Sequence, residues 1–346
     1  MAWRNPYYDP SLAHHRVDGF VNPEPEVAVG GDFWRWRRER RAQGLPQAPA
    51  AGYAAFAREW SVVPDFAQAG ERIWWLGHST LLLQIDGLRV LTDPVLSRRA
   101  SPLSFVGPAR KLPCVASVAA LPDIDLVLIS HSHYDHLDRI SVQQLARRSR
   151  AQAQPIHFIV PLGLADKLRS FGVDNVHELD WWQAFDFRGL RIRATPAQHW
   201  SARTPWDRNR TLWCGFTVHG AQRGVYFAGD TGYWHGVPEI VERCGRIDLA
   251  ALPIGAYAPR CFMKGQHIDP AQAVQMHLEL AAQHSIAIHW GTFELADDAL
   301  DEPPQKLAIA LADNGLGADD FWLLKHGESR SLAMRPLAES RVHFGT

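Results

Sequence analysis

Short apolar segments separated by turn residues begin at Ile73, in the runs IWWLG, TLLLQID and LRVLTD. Such spacing predicts strands, and Asp86–Gly87 between the last two is a strong hairpin signal. DLVLIS (Asp125–Ser130) is a continuous apolar run, as expected of a strand buried on both faces, and it leads directly into His131. A helical pattern follows from about Ile140 to Arg148. In the second half LRIRATPAQHW, LWCGFTVHG and GVYFAGDTG read as strands ending in polar loops. DPAQAVQMHLELAAQ predicts a helix, with Asp269 as N-cap and Pro270 at the first helical position. SIAIHWG reads as a further buried strand and FWLLKHGESR as the last one. Two strand-rich halves with helices between them predict an α/β fold of two packed mixed sheets covered by helices, an αβ/βα sandwich.

Residues 1–70 have a different texture: NPEPE, the basic-aromatic run FWRWRRERR, then QGLPQAPAAG. They read as an irregular N-terminal extension laid on a core domain over 71–335. No repeat of fixed period is found. With 346 residues, 46% hydrophobic and 21% charged, the chain is long enough for one large buried core. A net charge of −1 gives no global attraction to nucleic acid. The N-terminus lacks the apolar region of a signal peptide, and no apolar run approaches the roughly 20 residues of a membrane span. The expectation is an unexported, cytoplasmic protein. Cys114, Cys214, Cys244 and Cys261 are scattered without C-x-x-C spacing, which predicts reduced core cysteines rather than a cysteine metal site.

The 17 histidines alter the picture. His14, His15, His157, His177, His219, His277, His284 and His343 stand alone or without ligand spacing and read as structural. HSHYDHLD is different: His131, His133, Asp135 and His136 crowd one short loop after a buried strand. The i, i+2 spacing lets His131 and His133 face one ion, while Asp135 and His136 turn toward a second position. His199, Asp230 and His289 each sit at or just past the end of an apolar run, where a rigid scaffold can aim side chains at one point.

HSHYDHLD, with GHST and LTDP before it and AGDT and IHWGT after it, resembles the metallo-β-lactamase superfamily. The longer stretches LDWW, TPAQHW, LWCGF, FAGDTGY, DLAALPIGAYAPRCFMKGQHIDP, AIHWGTF, EPP and LKHGESR resemble the phospholipases D that hydrolyse N-acylphosphatidylethanolamine, and their bacterial homologues. The likeness runs from about Gly70 to Arg330. It implies one zinc held by His131, His133 and His199, a second held by Asp135, His136 and His289, and Asp230 bridging both. Iron or manganese would suit the same nitrogen and oxygen donors. The implied reaction is phosphodiester hydrolysis by a metal-bridging hydroxide, with Asp135, Asp230 and His267 as catalytic residues. A metal-dependent lactonase or other small-ester hydrolase of the superfamily is the alternative.

Asp93 in LTDP is a candidate to orient a metal-bound histidine, or merely to cap the turn before Pro94. The likeness places His267 in KGQHID beside the metals and substrate phosphate, with Gln266 a weaker partner. The other reading gives His267 only a role in capping the helix that begins near Pro270. Trp181, Trp182, Trp200, Trp206, Trp234 and Trp290 flank the ligand motifs and either line a lipid groove or serve as packing. The run Phe33–Arg41, in which Glu39 is the only acid, reads as a membrane-surface contact or a solvated helix face. A phospholipid substrate, peripheral membrane contact and a homodimer are expected from the likeness alone. A flavodiiron-type redox centre would need a flavin module for which the chain has no room. A non-enzymatic scaffold would be expected to have lost ligands.

Overall fold

A computed structural model describes residues 3–25 and 33–332. His343 and positions 333–335 lie outside the described residues. The chain begins with a small ribbon, β1 (His15–Arg16) and β2 (Gly19–Phe20), followed by helices α1 (Phe33–Ala42) and α2 (Tyr53–Glu59). Two seven-stranded sheets then form the body. The first comprises β3 (Arg72–Gly77), β4 (Thr80–Ile85), β5 (Leu88–Thr92), β6 (Leu126–Leu128), β7 (His157–Pro161) and β8 (Val176–Leu179). The second comprises β9 (Ala184–Phe187), β10 (Leu190–Thr195), β11 (Gly215–His219), β12 (Gly224–Phe227), β13 (Leu249–Pro253), β14 (His284–Ile288) and β15 (Phe321–Trp322). The last strand, β16 (Ser329–Ser331), returns to pair with β3 in the first sheet. Each sheet is antiparallel on one side and parallel on the other, the change coming at β5 and at β12. The mixed-sheet sandwich read from the sequence is the observed fold.

Alternation along β3 shows how the sequence sorts the layers. Ile73 and Trp75 face the second sheet, joining Leu128, Phe216, Phe227 and Ile286 in the core between the sheets. Trp74 and Leu76 face the other way, packing with Val142 and Leu145 of α3 (Arg139–Ala151) and Leu168 of α4 (Ala165–Ser170). Each such fully buried side chain contributes roughly 1.5–3 kcal/mol. The Asp86–Gly87 hairpin is present, with φ of 48° and 74° and Ile85 opposite Leu88.

Some expectations need correction. FWLLKHGESR is two strands in different sheets rather than one. After β15 the chain crosses at Gly327, whose N–H donates to the Trp75 carbonyl; a Cβ there would strike the Val62 carbonyl. The helix over DPAQAVQMHLELAAQ is α7 (Pro270–Glu279), shorter than its pattern, because Ala281 takes a φ of 44° that turns the chain into β14. Two short helices, α5 (Val237–Cys244) and α6 (Arg260–Met263), precede it, and α8 (Glu302–Asp313) follows β14. The first seventy residues carry two helices, so they are less irregular than their composition suggests. All four cysteines are free, but only Cys214 is fully buried and Cys261 is exposed.

Candidate metal centre

The loop after β6 is held at both ends. Behind it lies a strand with no exposed residue; ahead, Asp138 caps α3 by accepting from the Ile140 and Ser141 N–H groups. The His136 and Leu137 N–H groups both donate to the His133 carbonyl, folding the loop so that its side chains converge. The second sheet supplies the rest from three strand ends. His199 follows β10, and its N–H donates to Asn22 Oδ1 at 2.8 Å. Asp230 follows β12 after Gly229, where φ is 61° and a Cβ would meet Ser130 Cβ at 2.7 Å. His289 follows β14 in a left-handed conformation, φ 60°, with its N–H on the His78 carbonyl. A non-glycine residue in that region costs free energy that the surrounding structure must offset, and such positions concentrate at functional sites.

All seven positions singled out in the sequence meet. His133 Nδ1 lies 2.9 Å from His131 Nε2 and 3.2 Å from His199 Nε2. Asp135 Oδ2 lies 3.5 Å from both His136 Nε2 and His289 Nε2. Asp230 stands between the groups, 3.1 Å from His136 Nε2 and from His289 Nε2, and 3.8 Å from His199 Nε2. Yet His136 Nε2, His289 Nε2 and Asp230 Oδ1 are buried without a properly aligned hydrogen-bond partner. Donor atoms that approach this closely without hydrogen bonding one another are aimed at a third body. Separations near 3 Å are the edges expected of a coordination shell with bonds of about 2.0–2.2 Å. The donor set therefore fits metal.

Charge divides the site. Burial, reinforced by neighbouring histidines, holds His131 and His199 well below the usual imidazole range. Burial likewise holds His133 down to about 4. These rings are neutral and present lone pairs. Burial also opposes charge on His136 and His289, but Asp230 above all outweighs it, raising His136 well above its ordinary value and His289 to about 9. Asp135 and Asp230 are held well below the carboxylate range despite burial, with His136 the chief cause. A cation held by these residues would take the place of those protons.

Partners behind the donors fix their orientation. Asp93 is buried and accepts from His136 Nδ1 at 2.6 Å and from the Ser130 N–H at 2.7 Å, so it orients a donor histidine rather than merely capping a turn. His131 Nδ1 meets Ser130 Oγ, and His199 Nδ1 donates to the Gln266 carbonyl at 2.9 Å. Gln266 thus contributes its backbone. His78 was missed by sequence reasoning. It is buried in the β3–β4 turn with φ 53°, and its Nε2 meets Asp135 Oδ2 at 3.1 Å. Its one signal was a histidine at a tight strand turn in GHST. His267 lies with Nδ1 3.9 Å from Asp230 Oδ2 and without a hydrogen-bond partner. It does not cap α7, because Asp269 and Gln272 form that capping box. Of the six tryptophans flanking the motifs, Trp200 packs edge-on against the centre, its ring centroid 4.3 Å from that of His133. Trp181, Trp234 and Trp290 are buried packing, Trp182 is half-buried, and Trp206 is 78% exposed.

Known proteins resemble this chain in sequence and fold. The profile of the β-lactamase superfamily domain matches residues 88–290. The chain belongs to the metallo-β-lactamase superfamily, which includes metal-dependent hydrolases. It is 45% identical to an uncharacterized protein of Mycobacterium tuberculosis over 68% of this chain, a stretch that spans 63% of that relative's length. It is 40% identical to N-acyl-phosphatidylethanolamine-hydrolyzing phospholipase D 1 of Caenorhabditis elegans, over 80% of this chain and 81% of that protein. A possible metal-dependent hydrolase of Veillonella parvula has the same fold, with a TM-score of 0.62 at 17% identity, covering 76% of this chain and 100% of that one.

Proposed function

We propose that the protein is a binuclear zinc phosphodiesterase of the phospholipase D type, acting on N-acylphosphatidylethanolamine or a closely related phospholipid. One observation carries the metal centre: Asp230 stands between two converging donor groups, within 3.1–3.8 Å of His136, His289 and His199. In this reading His131, His133 and His199 hold one ion, Asp135, His136 and His289 hold the other, and Asp230 joins them. Two such ions supply a hydroxide at neutral pH and neutralise charge on phosphoryl oxygens. Asp93, Ser130 and the Gln266 carbonyl keep the donor nitrogens aimed inward. His267, held to about 4 by burial, is neutral, so one ring nitrogen donates to a phosphoryl oxygen or to the leaving oxygen.

The lipid class rests on the 40% identity to the nematode phospholipase and on the surface beside the ligand loop. There a cavity of about 550 Å³ is lined by Tyr134 of that loop, Phe105, Leu103 and the basic Arg98, Arg139 and Arg203. Phe105, Val106 and Trp206 are more than half exposed. Apolar side chains among cations suit an anionic membrane surface. Helix α1, the other candidate surface, leaves Trp34 70% exposed, while Trp36 Nε1 bonds Asp297 and Arg40 bonds the Ala296 carbonyl. Liposome co-sedimentation with and without the Phe33–Arg41 segment tests that helix, and equal binding would retire it.

Among the described residues no helix is long and apolar enough to cross a membrane. The deciding test is incubation of metal-quantified protein with a phospholipid panel and identification of products by mass spectrometry. Phosphatidic acid with N-acylethanolamine is the expected pair; lactone opening without phosphodiester cleavage would overturn the assignment. His267→Ala should lower kcat while leaving metal content intact.

A further inference from the structure

The N-terminal segment carries a second convergence of metal-binding side chains. His14 Nε2 lies 2.6 Å from Asp180 Oδ1, and His15 Nε2 lies 2.9 Å from Asp180 Oδ2. The two rings stand edge to face at 90° with centroids 4.5 Å apart, much like His131 and His133 at 84° and 4.6 Å. These histidines read as isolated in the sequence, but β8 and its following turn bring Asp180 to both. His15 Nδ1, on the far side of the ring, lies 2.8 Å from the Tyr7 carbonyl and 3.2 Å from the Asp9 N–H. Ligand atoms of His14, His15 and Asp180, one from each, lie within 4.8 Å of one another, close enough to share a single ion. Metal-bound histidines commonly place the far ring nitrogen on a backbone carbonyl, and Tyr7 offers His15 such a partner.

We propose that His14, His15 and Asp180 form a further site for a divalent transition-metal ion, of the zinc or copper class. Two imidazoles and a carboxylate suit such ions. Access is open, because His14 lines a cavity of about 690 Å³ together with Trp181 and Asn22. An ion there clasps the N-terminal segment to the end of β8. The clasp is linked to the catalytic centre through Asn22, whose Oδ1 accepts from the His199 N–H at 2.8 Å and from Trp213 Nε1 at 3.1 Å.

The test counts metal in the full chain by mass spectrometry after zinc loading and gel filtration. It compares the parent protein, H14A/H15A and D180N, with circular dichroism to confirm folding. The centre at Asp230 is intact in all three, so the difference isolates the new site whatever that centre turns out to hydrolyse. Both variants are expected to hold one equivalent fewer than the parent. Copper(II), used as a probe, should give the parent an electron paramagnetic resonance signal from two-nitrogen ligation that is absent from D180N. Equal metal content in the parent and D180N would overturn the site and leave a hydrogen-bonded staple. D180N preserves the side-chain shape and decides the matter if the double variant fails to fold.

Discussion

The two sides of the centre use the same kinds of residue and behave oppositely. On one side His131 and His199 are backed by a hydroxyl and a carbonyl and stay neutral. On the other, His136 touches Asp93 at 2.6 Å and Asp230 at 3.1 Å, and it holds a proton well above the usual range. His131, His199 and His136 are equally buried, so burial cannot be the discriminator. Carboxylate placement is. A buried carboxylate is expensive unless compensated, and three of them around His136 form a strongly negative pocket that a divalent cation compensates. Apart from Asp230, the neutral side offers a cation only lone pairs. Asp230, touching both, is where the two designs meet.

Removing that meeting point should have the largest effect. Asp230→Asn is expected to abolish phosphodiester turnover and to lower metal content on both sides. Elemental analysis beside a bis-aryl phosphate assay would show it. Retention of full metal content with normal turnover would sink the binuclear account. Asp93→Asn strikes the negative side directly and reaches His131 only through Ser130, whose hydroxyl donates to Asp93. Loss of such an orienting carboxylate typically costs about 10–100-fold in metal affinity or activity. Ser130→Ala, which removes the hydroxyl from His131, should cost less, because no charge is lost. If the two variants were equally impaired, carboxylate placement would not be what divides the centre.

Much of this was legible before the fold was seen. The strands ending in His131, His199, Asp230 and His289 announced themselves by apolar runs that stop at a ligating residue. HSHYDHLD concentrated four donors in one loop. Asp93 could be guessed, because a carboxylate before proline at a strand end has few other roles. His78 could not, since its function lies in a contact with Asp135, 57 residues away. His14 and His15 were read as isolated for the same reason, their partner Asp180 being 166 and 165 residues distant. The crossing at Gly327 was equally hidden. An apolar run records burial, not which of two sheets supplies it.

Backbone strain offers a smaller handle on how the two sheets are locked together. Gly229 holds φ at 61° with no room for a Cβ beside Ser130, the residue that serves His131. Gly229→Ala is expected to cost about 1–3 kcal/mol of stability. Urea denaturation of the metal-free protein measures it, and an unchanged midpoint would mean that the two strand ends are not tightly apposed.

The smallest expected effect concerns His78, on the carboxylate side but without a carboxylate's charge. Burial, then the neighbouring His289, lowers its pKa to about 3, so it stays neutral throughout the working range and its Nε2–H donates to Asp135. His78→Gln keeps an N–H donor and should cost only a few-fold in turnover with metal content intact, whereas His78→Ala frees Asp135 and costs more. The same residue leaves a mark on stability. Between pH 6.5 and about 3 the unfolded chain binds a proton that folded His78 refuses. Its contribution is therefore complete above pH 6.5 and declines as pH falls below it. Denaturation of the metal-free parent and of His78→Gln at pH 7 and pH 5 reads this directly. The parent should lose more stability than the variant over that interval, and parallel losses would mean that His78 is not held neutral by its surroundings.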